Sequence, residues 1–423
     1  MNKADRKKII SWCMYDWANS AFATTMLAAV LPIFYSEIAA KGMSKTTATS
    51  YWGYTNTLAM IIIASSSPFL GAMGDYTSKR KRFLSFFITI GIIATGTMFL
   101  IKEGQWLLAS ALFIFGRIGF GGGNIFYDSL LPFVAHKENM DQVSSMGYAL
   151  GYLGGGVLLA INLLMIIKPR LFMITGSIEA MRISFISVAL WWGIFSLPLL
   201  VNVPEPGDSE WGRPLTILKQ SLYRLKNTFN QLNDFKEAFK FLLAFWLYND
   251  GIGTIIIMAA IFGSEIGIGR NHLIGSILLV QFVGIPFTLL FGRLARYLGT
   301  KTCIIIGLMV YTIVVIFGYF IQTPSDFLIL AIMVGLVQGG TQALSRSFFA
   351  RMIPREDSAK FFSFYDVTAK FSGIFGPALF GLVGQMTGSS RYGIFALIIF
   401  FLAGGAILIT VNPEKGKRRE AIK

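Results

Sequence analysis

The sequence predicts an all-α membrane protein: twelve transmembrane helices in two pseudo-symmetric six-helix bundles. Three observations lead there. Of 423 residues, 54% are hydrophobic and only 14% charged, and mean hydropathy is +0.62. A soluble chain of this length cannot hide so much apolar surface, whereas a bilayer replaces the missing polar exterior. Second, residues 114–160 recur without a gap 218 positions later. Ile114 falls on Ile332, Gly121-Gly122 on Gly339-Gly340, Ser129 on Ser347, Glu138 on Glu356, Ser145 on Ser363, Gly155 on Gly373 and Ala160 on Ala378. One offset held across two apolar spans and the basic loop between them reads as a duplicated membrane domain. Third, lysine and arginine alternate from loop to loop. One side carries 26, the other eight, and three lie inside spans, Arg117, Arg346 and Lys370. That bias predicts both termini in the cytoplasm.

The first six spans fall near 12–37, 51–74, 83–101, 106–134, 142–167 and 180–202. The second six fall near 238–263, 273–295, 302–321, 326–350, 359–387 and 391–411. Each has about the 20 residues a helix needs to cross. A helix also satisfies every backbone amide within its own segment, as lipid requires. The expected organisation is a bundle over 1–202, a cytoplasmic linker over 203–237, and a second bundle with a basic tail over 238–423. Pro204, Pro206 and Pro214 end the sixth span. Leu218, Leu222, Leu225, Phe229 and Leu232 then recur at helical spacing, with Lys219, Arg224 and Lys226 between them. This reads as an amphipathic connector on the inner membrane surface.

Composition also narrows the function classes. Net charge is +15, but the basic residues sit in short breaks between apolar runs, not on a polar surface suited to nucleic acid. Cys13 and Cys303 are too far apart to suggest a disulfide, and His136 and His272 lie in or beside loops. Neither pattern suggests a metal or any other cofactor. The first apolar run continues too long for a cleavable signal peptide. There is no Gly-x-Ser-x-Gly, His-Glu-x-x-His or phosphate-cradling Gly-x-x-x-x-Gly-Lys, so an enzyme or an ATP-driven pump is disfavoured.

Polar residues inside spans are informative because a charge at mid-bilayer costs at least ~2.5–3.5 kcal/mol. The first span carries Asp16, Asn19, Ser20 and Thr24 on one helical face. The fourth carries Arg117, Asn124 and Asp128, and the seventh Asn249, Asp250 and Thr254. The tenth carries Gln338, Gln342 and Arg346 at intervals of four. Under the duplication these four helices are equivalent. They predict a hydrophilic cavity between two halves, with helix-to-helix glue as the competing reading, most evenly balanced for Asn19, Ser20 and Asn124. Gly147, Gly151 and Gly155 read chiefly as close helix packing.

The loop Gly71-Ala-Met-Gly-Asp75-Tyr-Thr-Ser-Lys79-Arg80-Lys-Arg82 resembles the signature loop of the major facilitator superfamily, with Tyr76 and Ser78 in place of the usual arginine and glycine. The loop after the eighth span has Arg296 where the acid would be. Arg117-Ile-Gly-Phe-Gly121-Gly-Gly123 is similar to the superfamily's arginine motif. The resemblance implies a link between Arg117 and substrate charge or proton movement. The string Tyr15-Asp-Trp-Ala-Asn-Ser-Ala-Phe22 resembles the autophagy-related vacuolar effluxer-like branch, which has many bacterial members. Yeast members of that branch are associated with amino-acid export from the vacuole.

The expected function is secondary transport of a small solute by alternating access, in a bacterial inner membrane, by a monomer with the bilayer as its partner. Amino acids are the first candidate substrates and protons the candidate coupling ion. Arg117 is expected to meet a carboxylate through its fixed fork of donors, and Asp250 a cationic group or a proton. Asn249, Asn124, Gln338, Gln342, Asn19 and Asp16 complete the expected binding set. Gly71, Asp75, Lys79, Arg80, Asp128, Arg346, Asp366 and Lys370 form the expected gating set. A receptor or scaffold on the same fold, or a transporter of organic anions or sugars, is the alternative.

Overall fold

The computed structural model describes residues 3–77, 79–135, 140–205, 236–350, 352, 365 and 367–413. The expected linker helix, Asp366 and the basic tail fall outside them. The described residues contain no strand.

Twelve long helices follow the expected spans. In the first half they are α1 (Asp5–Ala39), α2 (Lys45–Thr77), α3 (Arg80–Thr97), α4 (Trp106–Val134), α5 (Met140–Ile167) and α6 (Ser177–Asn202). In the second half they are α7 (Lys236–Glu265), α8 (Arg270–Leu298), α9 (Thr300–Phe320) and α10 (Pro324–Ala350), then α11 (Val367–Thr387) and α12 (Ser390–Thr410). Eleven are apolar enough to span by composition. The other, α2, is 33 residues long but rich in hydroxyls and amides. Some return to their own helix: Thr55 Oγ1 donates to the Tyr51 carbonyl at 2.7 Å and Asn56 Nδ2 to that of Trp52 at 2.9 Å. Back-bonding of this kind removes most of the polar cost.

Two helices depart from regular geometry. α1 widens into π-turns at Phe22–Ala29 and Tyr35–Ala39, on either side of Val30–Phe34. Pro32 lies in that middle piece, where it lacks an N–H and crowds the preceding turn. α11, expected as one unbroken span, turns at residues 372–374 and restarts as Phe375–Thr387. Pro377 just inside the new start contributes to the break, since a proline clashes with the carbonyl four residues earlier.

Packing repeats between the halves. α1 packs on α5 and α6, and α7 on α11 and α12; α4 packs on α2 and α3, and α10 on α8 and α9. The halves meet along α2–α11 and α5–α8, two seams related by the same pseudo-symmetry.

Among the described residues, the bonds between halves gather at the end opposite the chain termini. Thr46 Oγ1 donates to Glu265 Oε1 at 3.0 Å, and that oxygen also accepts from the Ser390 amide at 3.3 Å. Ser50 Oγ donates to the Gly381 carbonyl (2.9 Å), Tyr54 OH to Gln385 Oε1 (2.7 Å) and Trp52 Nε1 to the Ile257 carbonyl (3.3 Å). Arg270 Nη2 lies 2.8 Å from Glu37 Oε2. Gly53 is where the α2–α11 seam is tightest: a Cβ there would sit 2.6 Å from the Pro377 carbonyl oxygen. Among the described residues nearer the terminal end, polar side chains are more exposed. On α10, Gln338 is half-buried while Gln342 and Arg346 are exposed; on α4, Asn124 is half-buried and Asp128 exposed.

Candidate functional site

Arg117 lies at mid-length on α4, half-buried. Its Nη2 meets only the Met60 Sδ of α2, at 3.5 Å, and its Nε is buried without a partner. The Phe120 ring centroid is 6.0 Å from Cζ. Among the described residues no carboxylate forms an ion pair with it. A guanidinium is always charged and carries five donors. Held inside the membrane without an anion, it is suited to accept one from a solute.

Met60 connects Arg117 to the break in α11. A Cβ built on Gly373 would lie 3.1 Å from Met60 Cε. Ile374, at the end of the break, accepts a bond across the seam from Thr57 Oγ1 of α2 at 3.1 Å. From the other side, α7 grips the same segment. Asp250 is 1% exposed, and its two carboxylate oxygens accept the backbone amides of Gly376 (2.9 Å) and Phe375 (3.1 Å). Asn249 Nδ2 donates to Ser372 Oγ. Asp250 therefore caps the restarted helix from a neighbouring helix, where a negative charge and free amides attract. The expected solute cation would find this carboxylate already engaged.

On α1 the polar stripe faces α5 and α4. A Cβ on Gly147 would lie 2.6 Å from Asp16 Oδ2, on Gly151 2.6 Å from Ser20 Oγ, and on Gly155 2.8 Å from Thr24 Cγ2. Thr24 Oγ1 donates to the Gly155 carbonyl at 3.2 Å. Asp16 Oδ2 accepts from Tyr127 OH at 2.9 Å, and Asn19 Nδ2 donates to Asn124 Oδ1 at 2.6 Å. The string Tyr15 to Phe22 is thus a packing seam. Trp12 stacks with Tyr127, against which Tyr15 is tilted; Trp17 stacks with Trp191, and Phe22 with Phe120. Polar pairs of this kind contribute about 0.6 kcal/mol each in membranes, so close packing matters more. Gly155→Val is expected to lower the unfolding midpoint of the purified protein by several degrees, at a cost of ~1–3 kcal/mol. Asn19→Ala is expected to shift it far less. Thermal unfolding in detergent checks both.

Gln338 borders a largely apolar cavity of ≈ 80 Å³, walled by Ala28 of α1 and by Met258, Phe262, Phe327, Leu330 and Gln281 of the second half. It is not brought against Arg117 by any bond. Of the expected gating set, Asp128 and Arg346 are exposed, and both keep partners, as does Lys370. Lys79 precedes α3, and Arg80 lies under the Phe133 ring, 4.7 Å from its centroid. Gly71 and Asp75 belong to α2, their side chains outside the described set. Sequence reasoning missed Met60, Thr57 and Ser372, and with them the Glu37–Arg270 pair. No pattern within a single span pointed to these contacts.

Residues 4–421 match the family described as vacuole effluxer Atg22 like. The chain belongs to this family. The uncharacterized MFS-type transporter YxiO of Bacillus subtilis is 38% identical over 98% of this chain and 97% of its own length. Autophagy-related protein 22 of Kluyveromyces lactis is 26% identical over 80% and 74%. Among solved structures, a bacterial homolog of the human lysosomal transporter Spinster, inward-facing and unoccupied, superposes with TM-score 0.69 at 14% identity, covering 99% of this chain and 98% of that one. A D-xylose-proton symporter gives 0.67 at 16% identity, covering 98% of each. The Atg22-like chain thus carries the major facilitator fold, and its relatives are described as transporters, not as enzymes.

Proposed function

We propose that this Atg22-like protein is a secondary active transporter. It carries a small solute with an anionic group across the membrane by alternating access, with amino acids as the first class to test and protons as the candidate coupling ion. The observation that carries this reading is Arg117: a half-buried guanidinium with no carboxylate partner among the described residues, beside the discontinuity in α11. A zwitterion would present its carboxylate to that fork.

The bonds between halves at one end, and the exposed polar faces at the other, fit a state closed on one side and open on the other. With the termini in the cytoplasm, as the basic loops favour, the open side is the cytoplasm. The protein would act as a monomer in a bilayer, with no nucleic-acid partner.

Equilibrium binding tests the reading. Purified wild-type protein should bind components of a labelled amino-acid mixture saturably, and unlabelled carboxylates should compete where uncharged sugars do not. Competition by sugars alone would remove the anion from the account. Saturable binding without movement into sealed vesicles would favour a receptor on the same fold.

A further inference from the structure

We propose that Asn249 and Asp250 are positioning residues: they hold α11 in two pieces, so that the break at residues 372–374, and not the Asp250 carboxylate, forms the wall of the site that Arg117 faces. The proposal rests on the reading of Arg117 as the anion site.

Three observations carry it. The first is the double cap. Both Asp250 oxygens are used on the amides of Phe375 and Gly376, at 3.1 and 2.9 Å, and the group is 1% exposed. No cation among the described residues pairs with it. A carboxylate so enclosed is poorly placed to exchange these amides for a solute ammonium. The second is the close approach of α7 and α11 at Gly376. A Cβ on Gly376 would lie 2.7 Å from Asp250 Oδ1 and 3.0 Å from the Asp250 carbonyl oxygen. The glycine lets α7 and α11 approach closely enough for the cap to form. Thr254 Oγ1, one turn on, donates to the Asp250 carbonyl at 2.7 Å. The third is the path to Arg117. Asn249 holds Ser372, Met60 lies against Gly373, and Met60 Sδ meets Arg117 Nη2 at 3.5 Å.

The break also touches the seam between halves, because Thr57 of α2 donates to the Ile374 carbonyl. A helix interrupted inside the membrane has backbone groups that its own ladder does not satisfy, and such segments occur where they line a cavity. Here the clamp on α7 fixes where that segment lies. Asp250 thus acts on the solute through α11.

Hydrogen exchange and solute uptake into sealed proteoliposomes, measured on wild type, Asp250→Ala, Asp250→Asn and Asn249→Ala, test this. In Asp250→Ala the Phe375 and Gly376 amides should exchange at least about 10-fold faster, and half-saturation for the labelled solute should rise about 10-fold, with the maximal rate changed less. Asp250→Asn keeps one acceptor oxygen and should recover much of both. Asn249→Ala should weaken binding without freeing the two amides, and it carries the test should Asp250→Ala not fold. Exchange at Phe375 and Gly376 as slow as in wild type would show that Asp250 is not the clamp. Faster exchange with unchanged half-saturation would show that the break is not part of the site. Loss of gradient-driven accumulation in Asp250→Asn and Asp250→Ala alike, with half-saturation intact in both, would make Asp250 a proton carrier instead. Throughout, Arg117→Ala reports separately on the anion reading: if it binds like wild type, that reading fails whatever α11 does.

Discussion

Arg117→Ala is expected to raise half-saturation for the transported solute by one to two orders of magnitude while leaving the protein folded. A hydrogen bond to a charged group contributes about 1.5–3 kcal/mol, which corresponds to roughly a 10- to 150-fold change in affinity. Folding should tolerate the change for a specific reason. Among the described residues, Met60 Sδ is the hydrogen-bond acceptor the side chain meets, a weak one, so truncating Arg117 leaves no buried carboxylate behind among them. The usual large penalty for breaking a buried ion pair is absent. Arg117→Lys is a stricter comparison. Lysine keeps the charge but loses the planar fork, so it should recover only part of the affinity. Full recovery by lysine would mean that charge alone is used there. Solute binding and thermal unfolding on the same preparations check the three statements.

The second large effect is expected at Gly53, where the halves close on each other. A Cβ there would come within 2.6 Å of a backbone oxygen, that of Pro377, which has no flexible end to swing aside. Gly53→Leu should therefore prevent the α2–α11 seam from closing at the end opposite the termini. Transport should fall by more than 10-fold, because overpacking of this kind costs ~1–3 kcal/mol or more in one of the two states that alternation requires. The Glu37–Arg270 pair lies across the same closure but should matter less. Its side chains are 26% and 28% exposed, and pairs open to solvent contribute at most about 1 kcal/mol. Glu37→Gln is expected to change the rate about 2- to 5-fold. A cysteine placed near this end, probed with a membrane-impermeant thiol reagent, should label faster in Gly53→Leu than in the parent. Equal labelling would mean that the seam accommodates leucine and that the closure is softer than described.

Much of this architecture was legible in the sequence. Spans follow from the length of the apolar runs, and the repeat at a fixed offset anticipated the equivalence of α4 with α10 and of α5 with α11. The glycines of α5 were readable as packing because their spacing matches a helix face, and in the structure they meet Asp16, Ser20 and Thr24. That same contact shows why the stripe on α1 was ambiguous. Polar residues at helical spacing suit a water-filled cavity and a glycine-lined seam equally well, and spacing on one helix does not reveal what the neighbour carries. Arg117 stood out because it lies well inside its span and because Arg117-Ile-Gly-Phe-Gly121-Gly-Gly123 is similar to the superfamily's arginine motif. The break in α11 was not anticipated: residues 359–387 read as one span, and the groups that fix the break, Asn249 and Asp250, are more than 120 positions earlier in the chain. No local pattern encodes a bond of that range, and Met60 and Thr57 escaped for the same reason.

Uptake into sealed proteoliposomes tests the central claim most directly. Wild-type protein and Arg117→Ala would be reconstituted side by side, and entry of a labelled amino-acid mixture followed with and without an imposed pH gradient. The account predicts saturable entry by the wild type, suppressed by competing carboxylates and largely lost in the variant, with the gradient changing accumulation if protons are coupled. Saturable uptake that is equal in the two proteins would contradict it, because the Arg117 guanidinium, which no described carboxylate pairs, would then have no part in recognising the solute.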